Sequence, residues 1–124
     1  MLIHPVYDDM SEAELIVCNY LKEMRVYWIY EQPVFLSDNM ERPRIFAPDF
    51  FLPELGIYIE VMGNPNKPDY RRRMDIYEKN HIPIIFIAPF HDENWTSKII
   101  YFIEDVNKSR YNKIKRIKSN PGDS

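Results

Sequence analysis

The stretch PDFFLPELGIYIEVMG, residues 48–63, constrains the fold more than any other part of the chain. Two short apolar runs stand on either side of PEL, a spacing that predicts a tight antiparallel hairpin. Each run carries one acid, Asp49 in the first and Glu60 in the second. Strand side chains alternate, so Tyr58, Glu60 and Met62 are expected on one face and Ile57, Ile59 and Val61 on the other. An ionised carboxylate among apolar neighbours is costly unless a partner, a metal or water reaches it. Two acids on neighbouring hairpin strands can converge on one hard divalent cation, whose preferred ligands are oxygens.

The flanking sequence supplies the rest of a single α/β domain over residues 1–106. SEAELIVCNYLKEM opens with Ser11 and has Glu14 three positions later, a capping-box spacing that predicts a helix over 11–24 with Leu15, Val17, Cys18 and Leu21 on one face. RVYWIYEQPVFL is β-branched and aromatic and reads as a strand, bent or confined to an edge by Pro33. SDNMERPR makes a loop, and RIFAPDFFLP and GIYIEVMG form the hairpin. NPNKPD is a loop whose Asp69 is expected to cap a helix over 70–80 with Tyr70, Met74 and Tyr77 along one stripe. IPIIFIAP reads as a strand covered on both faces, and Trp95, Ile99, Phe102, Ile103 and Val106 recur at helical spacing. The order is helix, three strands, helix, strand, helix, which predicts one mixed sheet flanked by helices.

Pro48-Asp49 followed by the triplet Glu60-Val61-Met62 resembles the PD-(D/E)XK nuclease superfamily, of restriction-endonuclease-like fold. In that superfamily an acid on one core strand and an acid-any-Lys triplet on the next bind a divalent metal. The likeness spans about residues 11–88, in the variety that reads PDF…IE…G and is similar to very-short-patch-repair-type nucleases and helicase-associated nuclease-like domains. It implies Mg2+ or Mn2+ held by Asp49 and Glu60, DNA as substrate, and Glu14 as an accessory helical acid. Met62 stands where the family has lysine, and a thioether can neither orient water nor stabilise charge on a phosphate. Arg73, beside the sheet-facing stripe of the second helix, is the first candidate for the missing cation, and Lys67 in the preceding loop is the second. Loss of the lysine also leaves open a catalytically silent descendant that binds nucleic acid or a partner protein.

Each of these residues also has a plainer reading. Ser11 explains Glu14 as a cap, Pro-Asp is a common turn pair, and Glu60 can be ion-paired with an arginine of the second helix. Glu31, before Pro33, is either an additional ligand or an edge-strand acid facing water. The histidines have no ligand spacing, which argues against structural zinc.

Charge is segregated: the net −3 of the chain divides into −8 over residues 1–106 and +5 over 107–124. The basic extension, with Lys113, Lys115 and Arg116, and the RRR run, with Arg71 and Arg72 exposed, are the expected contacts to a polyanion such as DNA. The alternative for the extension is a solvated tail. Cys18 is the sole cysteine and has no partner for an internal disulfide. The opening residues lack the basic start and apolar run of a secretory signal, so a cytoplasmic, reducing location is expected. No apolar stretch has the roughly 20 residues a membrane span needs. Homodimers are common in the superfamily, and the number of subunits stays open.

Overall fold

A computed structural model of the chain describes residues 6–119. A short turn of 3-10 helix, Val6–Asp9, leads into α1, Glu12–Glu23. The capping box forms as its spacing predicts: Glu14 N–H donates to Ser11 Oγ at 3.2 Å and the Ser11 hydroxyl donates to Glu14 Oε1 at 3.0 Å. Ala13, Val17, Cys18 and Leu21 form the buried face of α1, and burial pushes the Cys18 thiol up.

The strands differ from the sequence expectation in one respect. RVYWIYEQPVFL is not one strand but two: β1, Ile29–Tyr30, and β2, Val34–Ser37. Between them Glu31 adopts a left-handed backbone (φ 55°), which turns the chain out of the sheet before Pro33. RIFAPDFFLP likewise divides into β3, Pro43–Phe46, and β4, Phe50–Leu52. β2 and β3 pair with each other as a separate antiparallel hairpin. The physical reason is coverage: a sheet buried on both faces needs material on each, and this hairpin shares the second face with a single helix.

The core sheet has four strands in the order β1-β4-β5-β6. β4 runs antiparallel to both β1 and β5, Ile57–Val61, through the predicted hairpin. The turn closes at Gly56, whose φ of 63° suits glycine and whose missing Cβ leaves room for the Arg110 guanidinium. α2, Pro68–Lys79, then crosses over to β6, Ile84–Ile87, which lies parallel to β5. Asp69 does not cap α2, as Lys67 holds the N-cap position without a side-chain bond and Pro68 opens the helix. Proline suits the first helical position, where its missing N–H is not needed.

α3 runs without a break from Trp95 to Ser119, so the boundary expected at residue 107 falls inside a helix. Arg110 donates to the carbonyls of Leu55 and Gly56, fastening α3 to the β4–β5 turn. Residues 120–124 of the basic extension lie outside the described residues.

The alternation read from IYIEV decides the two cores. Ile57, Ile59 and Val61 join Phe50, Leu52, Ile87, Ile99 and the α1 face in one cluster. Tyr58 joins Ile76 and Tyr77 of α2, Val34 and Leu36 of the hairpin, and Phe86 in the other. Among the described residues no helix is long and apolar enough to cross a membrane.

Candidate active site

The β4–β5 register pairs Phe50 with Ile59 and Phe51 with Tyr58. Continued by one residue, it sets Asp49 opposite Glu60 on the face covered by α2. On that face each carboxyl shifts the titration of the other, as two acids close together do. Asp49 Oδ2 also accepts from the Val61 N–H at 2.6 Å, and the Asp49 carbonyl accepts from Glu31 N–H at 3.0 Å. Asp49 is therefore fixed by main-chain geometry at one end of the sheet.

Glu60 is only 4% exposed. Burial raises its pKa to about 9, reinforced by the adjacent Asp49 carboxyl and opposed in part by Arg73. Asp49 is raised as well, by burial, with Glu60 and the Val61 amide working against the shift. Desolvation and the neighbouring carboxyl both favour the protonated form of Glu60, because two negative charges are costly in so dry a space.

Arg73 comes down from α2 to Glu60, with Nη1 3.3 Å from Glu60 Oε2. Its Nε lies 3.1 Å from Asp69 Oδ2 but is not directed at it, so that buried N–H has no hydrogen bond. The Tyr77 hydroxyl, one helical turn further on, is also buried without a partner. Burial raises its pKa, with the Glu60 charge adding to the effect. From the opposite direction Tyr30 donates its hydroxyl to Glu14 Oε2. Glu14 in turn acts on both Asp49 and Glu60. It thus serves as the predicted cap, and its charge reaches the acid pair.

Of the sequence-predicted residues, Asp49, Glu60, Arg73 and Glu14 come together. Lys67 is exposed at the start of α2. Arg71 and Arg72 are exposed on the first turns of the same helix, Arg72 pairing with Asp69 at 3.2 Å. Lys113, Lys115 and Arg116 follow Arg110 on α3, beyond the β4–β5 turn. That is the opposite end of the sheet from Asp49 and Glu60. Glu31 is exposed, its left-handed backbone set beside Asp49. Met62 is buried and extends the β5–β6 ladder through its N–H to the Ile87 carbonyl at 2.7 Å. Sequence reasoning gave Tyr77 a place on the stripe of the second helix and no role to Tyr30, and assigned neither to the site. For Tyr77 the signal was its place four residues after Arg73 on the same helical stripe.

The donor set suits a small hard cation. Two carboxyls on facing strands present oxygens that a divalent ion can take up by displacing a proton, and Mg2+ is commonly held by one or two carboxylates completed by water and phosphate. Among the described residues no group of three or more His, Cys, Asp or Glu is arranged to hold a metal ion. Comparison with known proteins finds no family model, no curated protein and no solved structure that matches the chain.

Proposed function

We propose that this chain is a divalent-metal-dependent nuclease domain of restriction-endonuclease-like architecture that hydrolyses phosphodiester bonds in DNA. The observation that carries the proposal is the register that sets Asp49 opposite Glu60 across β4 and β5, with Arg73 3.3 Å from Glu60. A buried acid pair that lacks a full set of partners is unfavourable in a merely structural role, and it is the pair expected from the PD and IEV positions. The connectivity supports the finer fold assignment: a helix, three antiparallel core strands, a crossover helix and a parallel fourth strand, with β2 and β3 as an insertion.

Bound Mg2+ or Mn2+ supplies the Lewis acidity that activates water and polarises the phosphate. Asp49 and Glu60 would hold it, giving up a proton. Arg73 remains a fixed positive charge beside Glu60. A guanidinium there clamps phosphate oxygen and orients water but does not act as the base. Arg71, Arg72 and Lys67, on the exposed start of the same helix, offer the backbone of the nucleic acid a positive approach near the acids.

Burial of Met62 in place of a lysine favours a second reading, a silent nuclease fold that binds nucleic acid without cutting it. Incubation with single-stranded, duplex and branched DNA in Mg2+ or Mn2+ separates the two. Cutting that is lost in both Asp49→Asn and Glu60→Gln supports the enzyme. Salt-sensitive binding with no cutting under any condition supports the silent reading and ends the catalytic one.

A further inference from the structure

β6 is an edge strand. It pairs with β5 on one side, and among the described residues no strand lies on the other. Tyr58 N–H donates to the Pro83 carbonyl at 2.9 Å and Met62 N–H to that of Ile87 at 2.7 Å. In a parallel ladder this phase turns the N–H and C=O groups of Ile84 and Phe86 away from β5, toward the open side. Edge strands of stable proteins are usually guarded by charge, proline or a bulge. Ile84–Ile87 reads IIFI and carries none of these.

The flanks of this edge are also open. A groove of about 430 Å³ runs along it, lined by Met74 of α2, Ile82, Ile84, Phe86, and Phe102 and Val106 of α3. α3 runs back along β6: Lys98 shares a second groove with Phe86, while Val106 and Ser109 lie beside Pro83. Phe102 borders both Ile85 and Phe86 and so marks the level of the middle of β6. Lys98 stands four residues before it and Asp105 three residues after it, both exposed on the flank beside the open edge.

We propose that β6 pairs with β6 of a second copy of this chain, antiparallel about a two-fold axis at Ile85, joining the two core sheets into one. Two features select a second copy over an unrelated strand. The outward groups of Ile84 and Phe86 are spaced two residues apart, so Ile84 of each chain meets Phe86 of the other with both hydrogen bonds satisfied. The charges are self-complementary as well: a two-fold axis at the level of Phe102 brings Asp105 of each chain toward Lys98 of the other, which within its own chain forms a surface pair with Asp92. Such isologous two-fold pairing is the commonest form of oligomer. The inference is independent of the acid pair, which opens at the end of the sheet and not at this edge.

The test is sedimentation equilibrium on the full chain, with the charge pair reversed. Asp105→Lys and Lys98→Asp are each expected to weaken dimerisation about tenfold, and the K98D/D105K double variant to recover most of the loss. Both positions are exposed, so circular dichroism should stay unchanged. Amide exchange gives a readout specific to the edge. The N–H groups of Ile84 and Phe86 are expected to be slow at high protein concentration and fast on dilution. A chain that stays monomeric at concentrations on the order of 10⁻⁴ M overturns the proposal, since a dissociation constant above that has little use in a cell. So does a dimer insensitive to both single reversals, or exchange at these two amides that does not change with concentration.

Discussion

Asp38 and Glu60 are the buried acids of the described residues, at 6% and 4% exposure, and they are treated in opposite ways. Asp38 sits in the β2–β3 turn with every oxygen answered. Its Oδ1 accepts from the N–H groups of Met40 at 2.8 Å and Arg42 at 3.0 Å, and its Oδ2 from Arg42 Nε at 3.0 Å and Arg44 Nε at 2.9 Å. Those bonds, led by the Arg42 amide, hold its carboxyl well below the usual carboxylate range. Glu60 has one guanidinium contact and another carboxyl against it, and its pKa moves up. Where an acid serves the fold, the fold supplies the positive partners. Where the partners are too few, the acid stays protonated instead, and the proposed function rests on that difference.

The sharpest test of the contrast is loss of activity at one acid and not at the other. Asp49→Asn and Glu60→Gln are each expected to lower DNA cleavage by about 10³-fold or more, read as initial rate in Mg2+, because each removes an anionic ligand. Asp38→Asn should leave the rate per folded molecule unchanged. Arg73→Ala comes next. Its cleavage is expected to fall about 10²-fold while metal binding, followed by calorimetry, persists. Normal cutting by Arg73→Ala would remove Arg73 from the proposed machinery and leave Lys67 as the remaining candidate.

Stability reverses the order of the two acids. Asp38→Asn is expected to lower the thermal midpoint by roughly 5 °C, since Arg42 and Arg44 lose their charged acceptor inside a small domain. Metal-free Glu60→Gln should be no less stable than the parent at pH 8, because it replaces an acid that must otherwise stay protonated or be buried as an anion.

The pH dependences should differ in sign. A carboxyl with a raised folded pKa contributes stability that is present below its unfolded pKa and lost as pH rises through the folded one. Denaturant midpoints of the metal-free parent are therefore expected to fall between about pH 4.5 and about pH 9, a slope that Glu60→Gln flattens. The contribution of Asp38 is present above its unfolded pKa and lost as pH falls through the depressed folded one, so Asp38→Asn should flatten the acid limb instead. The smallest effect is the shift with Mg2+ itself, an upward move of about 2 °C in the melting midpoint at millimolar ion, larger at pH 8 than at pH 6 and absent in Glu60→Gln.

The acid pair was legible because it depends on local rules. Alternation fixed the face of Glu60, PEL fixed the hairpin, and the Ser11–Glu14 spacing fixed the start of α1. The Asp38 site was not legible, since SDNMERPR reads as an ordinary turn and its arginines gain meaning only once β2 and β3 fold over α2. There Asn80 binds both the N–H and the carbonyl of Ser37, and Lys79 reaches the Asp38 carbonyl. The split at Glu31 was hidden for the same reason. Nothing in VYWIYEQPVFL announces a left-handed glutamate, a conformation held by its bond to Asp49 across the strands.

By itself the sequence determined which residues face inward and which acids stand among them, because side-chain periodicity and the cost of burying charge act over a few residues. Only the tertiary structure decided what those residues meet: Arg73 on Glu60, the basic end of α3 at the far end of the sheet, and β6 left as an open edge. Those outcomes follow from how strands are ordered and helices laid across them, a balance of contacts between segments tens of residues apart that no local pattern encodes.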